Sequence, residues 1–155
     1  MKNGELHTLI DLLERSCLKF PENAYLWEKR EGGYRSVTYR QTRREVGDVA
    51  AGLLAGGLQK GDRVALLSEG CNDWVFAELG ILYAGGVNVP LSIKLTDKEL
   101  IFRVRHSGAR FLIVSDYYVA TLRRIEAELP EIEKIYVIRY SSAEEGKYDS
   151  FERLK

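Results

Sequence analysis

Residues 63–91 read RVALLSEGCNDWVFAELGILYAGGVNVPL. Arg63 to Leu67 is a short apolar run of strand length. Asn72 to Ala84 is long enough for a helix and carries Trp74, Phe76, Leu79 and Leu82. Gly85-Gly86 then leads into a second short apolar run, Val87 to Leu91. A strand, a helix-length segment and another strand make a βαβ unit. The strands are mostly apolar runs rather than alternating ones, which predicts a parallel sheet covered on both faces. The crossover is expected to be right-handed.

Downstream the alternation repeats. Thr96-Asp97-Lys98-Glu99 has capping-box form and opens a helix to about Ser107. Phe111 to Val114 is a third strand. Tyr117 to Leu129 is predicted as one helix with Tyr118, Leu122, Ile125 and Leu129 on one side. Ile135 to Ile138 is a fourth strand. Upstream, Thr8 to Lys19 has Leu9, Leu12, Leu13 and Cys17 at helical spacing, and Phe20-Pro21 stops it. Ala24 to Lys29 and Tyr34 to Val37 flank Gly32-Gly33 as a β-hairpin. Thr38 and Gln41 form another capping box, opening a helix with Val46, Val49, Ala50, Leu53 and Leu54 expected inward. Gly56-Gly57 ends it. The fold class is therefore α/β: a helix and a hairpin, then βαβαβαβ units in a mostly parallel, helix-covered sheet. Residues 1–139 read as an N-terminal α/β subdomain. Residues 140–155 read as a linker, rich in Ser, Glu and Gly, with one last helical turn over Ser150 to Lys155 and further domains beyond.

A chain of 155 residues suits one domain with a real core. Lys plus Arg and Asp plus Glu are 23 each, so the net charge of zero gives no general attraction to nucleic acid. The local run Arg40, Arg43, Arg44 is followed by Glu45 and Asp48 and reads as a solvated helix face. Cys17 and Cys71 form no C-x-x-C, and His7 and His106 stand alone, so the spacing of a zinc site is absent. The N-terminal residues have no signal-peptide core, and no apolar run approaches the ~20 residues that span a bilayer. These features fit a cytoplasmic location with free thiols, either away from a membrane or peripheral to one.

Open α/β sheets bind ligands beyond the carboxyl ends of their strands. The loop Ser68 to Asp73 holds Glu69 and Asp73, which would repel phosphate where bare backbone donors are needed. G-x-G-x-x-G is absent, and Gly61 is followed by Asp62 where a P-loop needs Lys. Cys71 near a helix N-terminus lacks a neighbouring base and reads as a structural thiol. Gly80, Gly85 and Gly86 read as packing and turn glycines. Asp116 follows the third strand as a receiver-domain aspartate would. The acidic pair and lysine of that chemistry are missing, so a helix cap is expected.

The series as a whole resembles the AMP-forming acyl-CoA synthetases. The resemblance rests on Thr8 to Glu14 with Lys19 to Asn23, on Thr38-Tyr39 with Gly57 to Ala65, on Ala77 to Leu91, and on Ser107 to Asp116. It covers about Leu6 to Ile138, each piece weak alone and specific in order. It implies an adenylate-forming ligase that joins a carboxylic acid, by mild preference a fatty acid, to ATP and passes the acyl group to coenzyme A, with Mg²⁺. It also implies that the phosphate loop, metal ligand and lid lysine lie downstream. No catalytic, cofactor-binding or metal residue is assigned in this chain, and the isolated chain is expected to be inactive, with downstream domains of the same polypeptide as its partners. Asn88 and Ser92-Ile93-Lys94 depart from the family's usual residues and leave the substrate class open. The alternative is a stand-alone α/β binding module. The sequence after Lys155 would discriminate the two. A chain lacking its partner domains is expected to self-associate through an apolar face, for which Tyr25, Trp27, Tyr34 and Tyr39 are candidates, and these could equally be local core.

Overall fold

The computed structural model describes residues 6–140 and 148–155. Helix α1 (Leu9–Lys19) is followed by the antiparallel pair β1 (Ala24–Arg30) and β2 (Gly33–Thr38), then α2 (Tyr39–Ala55). The βα alternation is β3 (Arg63–Leu67), α3 (Asn72–Tyr83), β4 (Val87–Pro90), α4 (Asp97–Ser107), β5 (Phe111–Ser115), α5 (Val119–Ile125) and β6 (Lys134–Ile138). A two-residue strand, β7 (Asp149–Ser150), completes a five-stranded sheet in the order β4-β3-β5-β6-β7, with every pairing parallel.

Strand periodicity sorts the core into two layers. Val64 and Leu66 of β3, with Phe111 and Ile113 of β5, face α2 and α3. Ala65 and Leu67, with Leu112 and Val114, face α4 and α5. Both faces are apolar because both are covered, which is why these strands read as continuous runs. In register, Ala65 stands beside Val89 on one side and Leu112 on the other.

Several local expectations change. On α1 only Leu13 and Cys17 are buried, and Leu9 and Leu12 are exposed. On α2, Leu53 is buried and Leu54 exposed, because adjacent helix residues point about 100° apart. The single helix expected over 117–129 is three pieces: a 3₁₀ turn (Asp116–Tyr118), α5, and a second 3₁₀ turn (Glu126–Glu128). Its buried side still holds Leu122, Ile125 and Leu129. Asp116 is not the cap. Ser115 occupies that position, without a side-chain cap bond.

The end of the chain differs most from a linker. Asp149–Ser150 pairs with Tyr136–Val137 of β6, and the following 3₁₀ turn (Phe151–Leu154) buries Phe151 and Leu154 in the α2/α3 layer. The stretch Ser141 to Lys147, also read as linker, lies outside the described residues. The hairpin divides its two faces. Leu26 and Val37 pack on the core, whereas Trp27 and Tyr34 are 62% and 69% exposed. Tyr25 stacks on Tyr39 with ring centroids 4.5 Å apart.

Candidate functional site

The carboxyl edge of the sheet collects the β3–α3 loop (68–73), Ser115 from β5 and Arg139 after β6. The acids of that loop are engaged inside the protein. Ser115 Oγ donates to Glu69 Oε2 at 2.6 Å. Asp73, itself buried, accepts from Lys155 Nζ at 3.1 Å and lies 3.4 Å from Arg139 Nε. Arg139 also pairs with Glu28 of the hairpin, and Lys155 Nζ lies 3.1 Å from Glu45 Oε2. Lys155 further sits over the rings of Phe76 and Phe151.

This network ties the hairpin, α2, α3, the end of β6 and the last turn to one another. Arg139 meets it from a left-handed backbone, φ 58°, which is costly for a side-chain-bearing residue. Pairing there gives Asp73 and Glu28 partners that their burial requires. Neither Arg139 nor Lys155 carries a local sequence signal for this role. Their acidic partners come from distant segments, and only the fold brings them together.

Cys71 is the N-cap of α3 without a side-chain cap bond. Burial pushes its thiol above the ordinary range, against the favourable helix end and Arg139, so it stays protonated at neutral pH. Cys17 is buried and its Sγ donates to the Tyr39 carbonyl at 3.3 Å. Burial raises its pKa as well. Gly61, at φ 88°, turns the chain into Asp62, whose carboxylate accepts from Gln59 N at 2.8 Å and pairs with Arg110. That corner is a structural turn. The basic run is a solvated face: Arg40 pairs with Glu22, Arg43 with Glu14 and Arg44 with Asp48. Asn88 uses its amide to donate to Glu78 Oε1 at 3.2 Å.

The acids of this edge have partners within the protein, Glu69 with Ser115 and Asp73 with Arg139 and Lys155. The edge can brace segments together, with the Glu69 carboxylate held by the Ser115 hydroxyl. A depression of about 420 Å³ is bordered by Glu126, Tyr148 and Arg153. Within it Tyr148 donates to Glu126 Oε2 at 2.6 Å. No helix among the described residues is long and apolar enough to cross a membrane.

The family model described as "AMP-binding enzyme" matches residues 13–154. Crotonobetaine/carnitine–CoA ligase of Citrobacter koseri is 28% identical over 135 residues, covering 86% of this chain and 26% of that protein. Acyl-CoA ligase sidI of Aspergillus fumigatus is 32% identical over 114 residues, covering 72% of this chain and 18% of that one. The crystal structure of the anthranilate CoA ligase AuaEII with anthranoyl-AMP superposes with a TM-score of 0.86 at 28% identity, over 98% of this chain and 28% of that chain. The match thus spans between 18% and 28% of the length of these relatives, and the chain folds as the corresponding part of the anthranilate ligase does. On a match that runs through nearly the whole chain, from α1 to the last turn, this chain belongs to the AMP-binding enzyme family.

Proposed function

We propose that this chain forms the N-terminal α/β part of an AMP-forming acid–thiol ligase. In that reaction a carboxylate attacks the α-phosphorus of ATP, giving an acyl-adenylate and pyrophosphate. A thiol, that of coenzyme A, then takes the acyl group and releases AMP. The observation carrying this reading is the continuous likeness to an acyl-CoA ligase fold over 98% of the chain at 28% identity. ATP, Mg²⁺ and coenzyme A belong to the whole enzyme, and the groups that hold them are proposed to lie outside this chain. A fatty acid is the acid we favour, on general likeness to the family alone. We place the enzyme in the cytoplasm, either away from a membrane or peripheral to one.

The role of this part is structural. Its five-stranded sheet, covered on both faces, supplies a wall, and the Glu28–Arg139–Asp73–Lys155 network holds the hairpin and the last turn against it. The test is a chimera in which residues 13–154 replace the matching segment of the anthranilate ligase. Acid-dependent exchange of pyrophosphate into ATP should persist in the chimera, while the isolated chain forms no acyl-adenylate. A folded chimera without exchange, or acyl-adenylate made by the isolated chain, overturns the reading.

A further inference from the structure

Residues 149–155 are held differently from the rest of the sheet. β7 pairs with β6 over two residues, Asp149 beside Tyr136 and Ser150 beside Val137, whereas β5 and β6 pair over five. In the turn that follows, Phe151 and Leu154 go inward, and Glu152 and Arg153 stay exposed. Their seat is shaped by α2. Gly52 carries no Cβ where the Leu154 backbone crosses, and an added one would stand 2.4 Å from its carbonyl oxygen. Lys155 closes the turn. Its Nζ lies 3.1 Å from Asp73 Oδ1, 3.1 Å from Glu45 Oε2 and 3.3 Å from Glu152 Oε1. Asp73 thus has two cations for one carboxylate, and they belong to different parts of the chain. Arg139 follows β6, with its Nε 3.4 Å from Asp73 Oδ2. Lys155 travels with the last turn.

We propose that residues 149–155 form a clasp that opens as a unit from an otherwise intact sheet, with Lys155 as its lock. When the turn lifts, the buried Asp73 carboxylate keeps Arg139, and the partly exposed Glu45 is met by water. Opening therefore leaves no buried charge unpaired, which is the penalty that makes breaking most buried ion pairs so costly. No residue of the clasp takes part in the β4-β3-β5-β6 ladders, so those four strands keep their pairing. The clasp withdraws two large apolar side chains from the core, Phe151 and Leu154, and the many others of the α2/α3 layer stay packed. Local opening thus costs less than unfolding the whole chain. It bares the outer edge of β6 at Tyr136 and Val137 together with the Gly52 seat, and the strength of the lock sets how often they are uncovered.

The experiment is chymotrypsin digestion of the full 155-residue chain, with the initial rates of cleavage after Phe151 and after Phe111 followed by mass spectrometry. Both side chains are buried, Phe151 in the clasp and Phe111 in β5, so each cut reports the population in which its own segment is open. Each rate is divided by that of the same bond in the urea-unfolded chain. Cleavage after Phe151 should be the faster of the two. It should also rise more gently with urea, because that slope scales with the surface exposed. Lys155→Met should speed it about ten-fold, the worth of a charge-assisted hydrogen bond. Arg153→Met, an exposed neighbour outside the lock, should change it by less than about two-fold. Asp73→Asn should speed it as well, and the double variant with Lys155→Met should fall short of the product of the two single effects. Circular dichroism checks that each variant is folded. Equal rates at both bonds with one urea slope overturn the proposal, since the tail then opens only with the whole fold. An unchanged rate in Lys155→Met, or a double variant equal to the product, overturns it too.

Discussion

Three helical glycines lacking a side chain meet three different surroundings. A Cβ on Gly80 of α3 would stand 2.5 Å from Val49 Cγ1, so the α2–α3 contact requires its absence. A Cβ on Gly52 of α2 would stand 2.4 Å from the Leu154 carbonyl oxygen and 2.6 Å from its Cα. Around Gly47 of α2 nothing lies within 4 Å. Alanine gains up to about 1 kcal/mol over glycine inside a helix, and overpacking costs about 1–3 kcal/mol. Gly47→Ala should therefore stabilise the protein by up to about 1 kcal/mol. Gly80→Ala should destabilise it, and Gly52→Ala should destabilise it more, because backbone yields less readily than a valine rotamer. Urea denaturation reads all three, and the same sign at Gly47 and Gly80 would contradict the packing argument. Gly80 was legible as a packing glycine from its place in an apolar helix. Gly52 was not, since its neighbour Leu154 belongs to the opposite end of the chain.

Capping decides where the helices begin. Thr8, Thr38 and Thr96 each accept from the backbone three residues on, and Asp11, Gln41 and Glu99 each accept back from the cap's backbone N–H. Replacing Thr96 by Ala should cost about 1 kcal/mol, measured by denaturation. The reciprocal bonds hold the Asp11 and Glu99 carboxyls below their ordinary values, with Thr8 the largest cause for Asp11 and the Thr96 amide for Glu99. A depressed folded pKa contributes stability above the unfolded value, about 3.9 for Asp and 4.3 for Glu, and loses it as pH falls through the folded value. Gln41 does not titrate. Hydrogen exchange followed by NMR from about pH 5 down through these values should show protection lost at the Thr8 and Thr96 amides and kept at Thr38. Loss at all three together would point to global acid unfolding instead. The boxes at Thr38 and Thr96 were readable from spacing. β7 was not readable, because two polar residues, Asp149 and Ser150, show no periodicity and become a strand only beside β6.

Across the whole molecule, the last turn is part of the core. Phe151 is fully buried with Leu154 among residues of α2, α3 and the sheet. Phe151→Ala should cost about 3–5 kcal/mol, read by thermal or urea unfolding; a change below 1 kcal/mol would show that the tail is peripheral. The outer hairpin face is open, with Trp27 and Tyr34 exposed, and with Leu9 and Leu12 on α1 it leaves apolar surface uncovered. Self-association is expected on raising the concentration in size exclusion, and Trp27→Ser should reduce it. A strict monomer at high concentration would contradict this. The sequence by itself determined the parallel, doubly covered sheet and the order of its elements, because strand and helix periods are properties of neighbouring residues. Only the tertiary structure decided that Glu69 and Asp73 serve as internal partners, that Arg139 and Lys155 neutralise the buried carboxylate, and that the tail closes the core. Those outcomes depend on which distant side chains meet at the strand ends, and local spacing carries no record of such meetings.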